Sequence, residues 1–210
     1  MPEPPEPKKH SSLKRTRVTS RLLVVDEGRS DPSPRLLLVS SAGGQAWVTP
    51  GGTWEPQTGE ELIQAAVREG MEEAGLFTQV ERLLYVWLYI PPQPAGEARS
   101  PADGSPGPTG NGVAQPAPVV EFFFLAHPAA SGASGGASGR AGEGSVPAPS
   151  SWQQADPDGP QRHVRWFTRA EMAQLQQPFY PALLRDRFWA DLDQGRRTGR
   201  WPDPYLGYSK

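Results

Sequence analysis

Residues 51–76 have the sequence GGTWEPQTGEELIQAAVREGMEEAGL, and they carry the strongest structural signal in the chain. The apolar residues between positions 60 and 74 recur at the spacing of an amphipathic helix. Gly75 follows directly, at the place where a glycine often ends a helix. The stretch therefore predicts a glycine-containing loop followed by a helix over residues 60–74.

Three carboxylates share one face of the predicted helix, because Glu69, Glu72 and Glu73 stand three and four residues apart. Like charges at this spacing destabilise an isolated helix, and a bound cation would offset their repulsion. Carboxylate oxygens with no cysteine or nearby histidine favour the hard ions Mg²⁺ or Mn²⁺ over Zn²⁺. The spacing alone also fits a solvated charged face without an ion, so both interpretations stay open at this point.

Glu60 precedes Glu69 by nine residues, so in a regular helix it would point away from the other carboxylates. We therefore expect Glu60 at the start of the helix, reaching the site from the loop. Arg68 is the residue that would clamp this carboxylate or a substrate phosphate, since a guanidinium group binds either through two hydrogen bonds.

The pattern from Glu60 to Leu76 resembles the Nudix box of the Nudix hydrolase family. Glu60 is followed by seven residues and then by REGMEEAGL, which matches the Arg-Glu-apolar-x-Glu-Glu-x-Gly-apolar end of that box. The WVTPGG segment before the box also looks like the family. The resemblance implies an α/β/α sandwich with a mixed sheet, and hydrolysis of a diphosphate bond in a nucleoside diphosphate linked to another moiety.

The resemblance also implies roles for individual residues. Metal binding would fall to Glu72, Glu73, Glu69 and the carbonyl of Gly51. Glu69 would serve as a ligand or as the general base, while Glu60 and Arg68 would orient the helix and its carboxylates. Mg²⁺ is the expected cofactor, with Mn²⁺ as a substitute.

Two further residues outside the helix are candidates for the site. Family members often draw one more carboxylate from outside the box, and Glu121 is the candidate ligand here. The position where relatives often have a glutamate, two residues before the RWF segment, is His163. Trp54 lies beside the expected pocket and is a candidate for stacking on a base.

The chain departs from the family pattern at two places. Gly52 and Glu60 are separated by seven residues instead of five, with Pro56 and Gln57 as the expected insertion. Gly70 replaces an apolar residue, which costs up to about 1 kcal/mol in a helix interior unless close packing requires the glycine.

The other elements predict an α/β fold. Strands are expected over residues 18–26, 35–40, 46–49, 80–90, 119–126 and 164–167. A capping box at Thr168 and Glu171 predicts a helix from Ala170, and a last helix is expected over residues 182–193. The tail that begins at Trp201 is expected to be coil.

Composition divides the 210 residues into a folded part and low-complexity segments, with 25 prolines and 23 glycines in total. Such segments bury too little apolar surface to offset the entropy of ordering them. We predict a disordered tail at residues 1–16 and one domain at residues 17–210. Flexible inserts are expected within that domain at residues 91–118 and 128–160.

Several function classes are excluded by composition. There is no cysteine, so thiolate metal sites, disulfides and cysteine nucleophiles are absent. A net charge of −2 argues against a dedicated nucleic-acid binder, and no apolar run is long enough for a membrane span. The expected partner is a small nucleotide or pyrophosphate, and the protein is expected to be cytoplasmic. A homodimer is a candidate oligomeric state, since many relatives dimerise. The alternative is a catalytically silent nucleotide-binding or regulatory module of the same fold.

Overall fold

A computed structural model describes residues 16–28, 33–41, 44–90, 117–129, 150–155, 157, 159 and 161–209 of the chain. The predicted tail at residues 1–16 lies outside these residues except for Thr16. Positions 91–116 and 130–149, which make up most of the two predicted inserts, lie outside them as well.

Ten strands, three α-helices and a short 3-10 helix form in the described residues. The strands are β1 (Arg17–Asp26), β2 (Arg35–Ser40), β3 (Trp47–Val48), β4 (Gly51–Thr53), β5 (Thr78–Tyr89), β6 (Val119–Pro128), β7 (Ser151–Gln154), β8 (Arg162–Thr168), β9 (Phe179–Tyr180) and β10 (Tyr205–Ser209). The helices are α1 (Leu62–Ala74), α2 (Arg169–Gln174) and α3 (Leu183–Thr198), and the 3-10 helix is Pro56–Thr58. Within the described ranges, no helix has the length and apolar character needed to cross a membrane.

The central strand of the mixed sheet is β1. On one side β1 runs parallel to β6, which pairs antiparallel with β5, and β5 in turn pairs in parallel with β10. On the other side β1 runs antiparallel to β2, which pairs antiparallel with β8 and with β3. The short strand β4 pairs antiparallel with the first half of β1. This pairing places the Gly51-Gly52 segment against the middle of the sheet.

Both faces of the sheet are covered, because side chains along β1 alternate between two hydrophobic clusters. Leu22 and Val24 pack in one cluster with alanines of α1, whereas Leu23 and Val25 pack in the other with aromatic residues of α3. A sheet with a helix on each face is the α/β/α sandwich that was predicted, and that prediction is confirmed.

Several elements differ from the sequence prediction, which also did not include the short strands β4 and β9. β7 lies inside the segment predicted as a flexible insert at residues 128–160, and β10 lies in the tail predicted as coil. α3 continues five residues beyond the predicted end at position 193. The strands β7 and β10 have only four and five residues, so their own sequence gives little signal. Pairing with β8 and β5, which are remote in sequence, defines them instead.

The ends of α1 explain its position. Glu61 and Gln64 form a reciprocal capping box at its start, and Gly75 ends it with a left-handed φ of 65°, as predicted for that glycine. A Cβ atom at Gly70 would lie 2.6 Å from Leu22 Cδ1. The glycine at this position therefore allows α1 to pack closely on β1.

The end of α1 also contacts β7. The indole Nε1 of Trp152 donates a hydrogen bond to the carbonyl of Ala74 at 2.8 Å. A Cβ atom at Gly75 would lie 2.3 Å from Oε1 of Gln154, so the two residues are in direct contact. The strand that follows positions 130–149 is thus attached to the C-terminal end of the helix.

The ion pairs that Arg196 forms with Glu81 and Glu27 make the stability of the fold depend on pH. Arg196 of α3 donates hydrogen bonds to Glu81 of β5 at 2.6 and 2.7 Å and to Glu27 at 2.6 Å. The hydrogen bond from Arg196 lowers the pKa of Glu81, despite its burial, below the ordinary value of 4.5. The stabilisation that Glu81 gains from Arg196 is therefore complete above the pKa of Glu81 in the unfolded chain. It is lost as the pH falls through the lowered pKa of Glu81 in the folded protein.

We expect Arg196→Gln to be less stable than the wild type at pH 7, with the difference shrinking below about pH 4. Urea denaturation across this pH range measures the effect. Arg197→Gln, an exposed change in the same helix, is the control. A stability difference that is constant from pH 7 to pH 3 would contradict the assignment.

Candidate functional site

The box residues converge where β4 meets the second half of α1. Gly52 faces the helix, and a Cβ atom at this position would lie 2.3 Å from Oε1 of Glu69. Only a residue without a side chain leaves room here for that carboxylate. The Gly-Gly segment therefore forms one wall of a site whose other wall is the carboxylate face of α1.

Arg68 joins three of the carboxylates. Its Nε and Nη2 atoms donate to the two oxygens of Glu60 at 2.8 and 3.3 Å. Its Nη1 atom donates to Glu69 Oε1 at 3.1 Å and to Glu72 Oε2 at 3.0 Å. Glu60 thus reaches the site from the loop and Arg68 clamps it, which is the geometry expected from the sequence. The hydrogen bond from Arg68 lowers the pKa of the Glu60 carboxyl.

Glu73 is bound by a different set of donors. Its Oε2 atom accepts a hydrogen bond from the backbone N–H of Gly51 at 2.9 Å. Its Oε1 atom lies 2.9 Å from Nη2 of Arg162, the first residue of β8. Nη1 of Arg162 donates to the carbonyl of Ser40 at 3.1 Å. The buried Glu73 carboxylate therefore links α1 to β4 and β8.

Negative charge accumulates around Glu69. Burial raises the pKa of its carboxyl most, and the charges of Glu73 and Glu72 raise it further, while Arg68 opposes the shift. A divalent cation would relieve this repulsion, and carboxylate oxygens suit Mg²⁺ or Mn²⁺. The Nη1 atom of Arg68, which bridges two of these carboxylates, already occupies a position suited to a cation.

The carboxylates are turned toward arginines and are not arranged around a shared point. Among the described residues, no three His, Cys, Asp or Glu side chains form a ready set of metal ligands. The donors are all carboxylate oxygens, and this chemistry nevertheless fits a divalent ion. Small rotations of Glu69 and Glu72 away from Arg68 would present their oxygens to it.

Glu121 is not brought to these carboxylates. It shares a sheet face with Phe123 and Leu125, which pack in the cluster that contains α3, whereas α1 covers the opposite face. Its Oε1 atom accepts hydrogen bonds from Arg21 Nε at 2.7 Å and from Thr19 Oγ1 at 3.3 Å. The geometry therefore does not support its assignment as a metal ligand: it belongs to a buried ion pair on the other side of the sheet.

The two additional residues in the loop before α1 are accommodated without moving Glu60 away from Arg68. Pro56–Thr58 form a 3-10 turn, and Gly59 ends it with a left-handed φ of 79°. The indole Nε1 of Trp54 donates to the carbonyl of Glu60 at 2.7 Å. Trp54 thus fixes the loop that presents Glu60, and its stacking on a base stays a prediction, as does metal binding by the carbonyl of Gly51.

Arg162 was missed by the sequence analysis, which considered its neighbour His163. Alternation along β8 places Arg162 with Val164 on the face toward α1, whereas the His163 side chain is exposed. The alternation of apolar and charged residues from Val164 to Trp166 was a partial signal. Extended backwards by two residues, it places Arg162 on the same strand face as Val164, but it does not say which helix that face contacts.

Gly52→Ala is expected to displace the Glu69 carboxylate while leaving the fold intact. The atoms in conflict with the new Cβ are the far end of a flexible side chain, which rotates away at little cost. We expect Mn²⁺ affinity to fall by about tenfold or more, with little change in thermal stability. Mn²⁺ titration followed by electron paramagnetic resonance measures this, with the exposed loop change Gln57→Ala as the control. Unchanged Mn²⁺ affinity in Gly52→Ala would contradict the arrangement described here.

Sequence comparisons agree with this geometry. Residues 15–106 match the family model described as NUDIX domain. Nudix hydrolase 18, mitochondrial, of Arabidopsis thaliana is 37% identical to the chain over 70 residues, which is 33% of this chain and 39% of the relative. The chain thus covers about two fifths of the length of this curated relative. Residues 15–106 therefore match a NUDIX domain, the family that the sequence pattern resembles.

Comparison with solved structures confirms the fold. The crystal structure of a NUDIX hydrolase from Nitrosomonas europaea has a TM-score of 0.52 at 16% identity, over 97% of this chain and 84% of that chain. The NUDIX domain of Shewanella oneidensis NrtR, complexed with ADP ribose, has a TM-score of 0.51 at 16% identity, over 88% and 94% of the two chains. At this level of identity the likeness concerns the fold alone.

Proposed function

We propose that the chain is a metal-dependent pyrophosphohydrolase. It would cleave the diphosphate bond of a nucleoside diphosphate linked to another moiety, by attack of water on phosphorus. The observation that carries this proposal is the convergence of Glu60, Glu69 and Glu72 on Arg68, with Glu69 packed against Gly52, within the residues that match a NUDIX domain.

The residues that would hold Mg²⁺, or Mn²⁺ in its place, are Glu69, Glu72, Glu73 and the carbonyl of Gly51. A bound divalent ion neutralises charge on the phosphate oxygens and makes a coordinated water more acidic. All four donors are oxygens on rigid elements, α1 and β4, which suits a hard cation.

The chain's own residues would then move the proton and fix the geometry. Glu69 would accept the proton of the attacking water, and its raised pKa brings its basicity closer to that useful at neutral pH. As the water oxygen bonds to phosphorus, the bridging P–O bond breaks and a phosphate-bearing group leaves. Arg68 would hold the carboxylates of Glu60 and Glu69 in a fixed orientation during this step.

The substrate class follows the family, and the loops outside the box would determine the particular compound. Nucleoside diphosphate sugars are the first group to test, with ADP ribose among them because the NrtR domain is complexed with it. Dinucleoside polyphosphates are the alternative that the box does not distinguish. A homodimer, a cytoplasmic location and the lack of a specific nucleic-acid partner stay predictions from the sequence.

A catalytically silent binding module is the second candidate. It is favoured by one observation, namely that both oxygens of Glu73 already bind protein donors while Glu69 and Glu72 share Arg68. In such a module the arginines would replace the metal as permanent partners of the carboxylates.

A panel of pyrophosphates separates the two candidates. Nucleoside triphosphates, ADP ribose, other nucleotide sugars, NADH and dinucleoside polyphosphates would each be incubated with Mg²⁺, with Mn²⁺ and with chelator, beside Glu73→Gln. Turnover that requires the metal and is lost in Glu73→Gln supports the enzyme. Nucleotide binding by calorimetry without turnover of any compound supports the binding module, and turnover that persists in chelator contradicts the metal-dependent proposal.

A further inference from the structure

The loop that leads into Gly51 is bonded to the central strand β1 at two consecutive carbonyls. Nη1 of Arg21 donates a hydrogen bond to the carbonyl of Thr49 at 3.1 Å. The carbonyl of the next residue, Pro50, accepts a hydrogen bond from the N–H of Leu22 at 2.8 Å. One of these two attachments is therefore made by a side chain, and a substitution can remove it.

The Arg21 side chain also packs directly on Gly51. The two residues are register partners in the antiparallel pair of β1 and β4. A Cβ atom at Gly51 would lie 2.6 Å from Cα and 2.7 Å from Cγ of Arg21. Gly51 also has a φ of 147°, which glycine adopts at little cost and other residues rarely do. The Gly51 backbone therefore lies against the stem of Arg21 without a side chain between them.

The guanidinium group of Arg21 is oriented by Glu121. Nε of Arg21 donates to Oε1 of Glu121 at 2.7 Å, and Thr19 Oγ1 donates to the same oxygen at 3.3 Å. Glu121 is buried, and the Arg21 side chain is only 16% exposed. Hydrogen bonds between charged groups are strong in such surroundings, because little water competes with them. The guanidinium thus binds the carboxylate through one nitrogen and the loop carbonyl through another.

The same loop contacts the carboxylates of α1 on the other face of the sheet. The N–H of Gly51 donates to Oε2 of Glu73 at 2.9 Å, and the Gly51 carbonyl is one of the proposed metal ligands. Only Pro50 separates Gly51 from Thr49, and the proline ring restricts φ at that residue. A shift of the Thr49 carbonyl would therefore be passed on to Gly51.

We propose that Arg21, oriented by Glu121, positions the backbone of Gly51 at the carboxylate site on the opposite face of the sheet. The inference rests on the metal-binding part of the proposed function. Arg21 is a positioning residue, because it acts through the Thr49 carbonyl and the Gly51 backbone. Glu121 then serves the site through Arg21, from the α3 face of the sheet.

The double variant Arg21→Met with Glu121→Leu tests the proposal. It removes both buried charges and keeps the volume, so the fold is retained, but methionine has no donor for the Thr49 carbonyl. We expect the full chain to bind Mn²⁺ at least about tenfold more weakly than the wild type. Without metal, the Gly51 amide should exchange its hydrogen at least about tenfold faster, relative to the amides of β2. Electron paramagnetic resonance titration and hydrogen exchange followed by NMR measure the two effects.

Tyr85→Phe is the matched control for a loss of stability. Tyr85 is buried on the same face of the sheet, and its hydroxyl donates to Asp191 of α3 at 2.6 Å. This variant should lower thermal stability but leave Mn²⁺ affinity and the relative exchange of Gly51 as in the wild type. Arg21→Lys is a second test variant, because it keeps a positive charge beside Glu121 but lacks the guanidinium fork. It should show the same losses as the double variant, and it decides the matter if the double variant does not fold.

Three results would overturn the proposal. The first is wild-type Mn²⁺ affinity with wild-type Gly51 exchange in the folded double variant. The second is a loss of equal size in Tyr85→Phe, since stability alone would then explain both effects. The third is faster Gly51 exchange with unchanged Mn²⁺ affinity, which would separate Arg21 from the carboxylate site.

Failure of this inference is distinguishable from failure of the proposed function. A wild type that hydrolyses a pyrophosphate with Mg²⁺, beside a double variant with unchanged Mn²⁺ affinity, overturns only the role of Arg21. A wild type that binds no Mn²⁺ and hydrolyses nothing overturns the metal-dependent function and, with it, the role of Arg21 at a metal site.

Discussion

Glu69→Gln is expected to lower kcat on the best pyrophosphate by about 10²- to 10⁴-fold, the usual contribution of a general base. The amide keeps the size of the carboxylate and can still accept a hydrogen bond from Arg68, so packing beside Gly52 is preserved. Burial and neighbouring carboxylates already raise the pKa of Glu69, so removing its charge should leave thermal stability unchanged or slightly increased. Steady-state kinetics and thermal denaturation of the same preparation measure the two effects.

Asp193→Asn is the control for this variant, since Asp193 of α3 forms an exposed pair with Arg169 of α2, on the far side of the sheet. It should retain wild-type kcat. A Glu69→Gln protein that keeps more than about a tenth of wild-type kcat would remove Glu69 from the role of base and leave only a ligand role.

Arg21→Ala is expected to destabilise the protein by about 3–5 kcal/mol, because it leaves a buried carboxylate without its charged partner. Glu121 is 2% exposed, and Arg21 Nε lies 2.7 Å from its Oε1 atom. The other oxygen of Glu121 has no hydrogen-bond partner among the described residues, so little remains to compensate the loss. Urea denaturation at pH 7 measures the free energy of unfolding.

The double variant Arg21→Met with Glu121→Leu should recover at least about 2 kcal/mol of this loss, since it removes both charges and keeps the volume. Arg169→Ala, which breaks an exposed pair, should change stability by less than about 1 kcal/mol. If Arg21→Ala lowers the free energy of unfolding no more than Arg169→Ala does, the Arg21–Glu121 ion pair does not stabilise the α3 face of the sheet.

Helix α1 and the contact between Glu60 and Arg68 were predictable because their sequence signals are local. The period of α1, the glycine that ends it and the meeting of Glu60 with Arg68 all follow from spacing within about fifteen residues. The strands β1, β2, β5, β6 and β8 were predictable for a similar reason, because each contains a run of β-branched, leucine or aromatic residues.

The positions of Glu121 and Arg162 were not predictable in the same way. In a strand, a shift of one residue exchanges the two faces, and local sequence does not say which face looks toward a given helix. Glu121 has the residue type of a ligand but lies on the α3 face, whereas Arg162 lacks that type yet contacts the carboxylate helix. Only the pairing of β6 with β1 and of β8 with β2 assigns these faces.

The attachment of β7 to α1 connects this strand mechanically to the helix that carries the carboxylates. Trp152 is bonded to the last carbonyl of α1, one residue after Glu73. A displacement of β7 would be transmitted through the indole to the end of the helix. A change that breaks the hydrogen bond between Trp152 and Ala74 should therefore also disturb the carboxylates of α1.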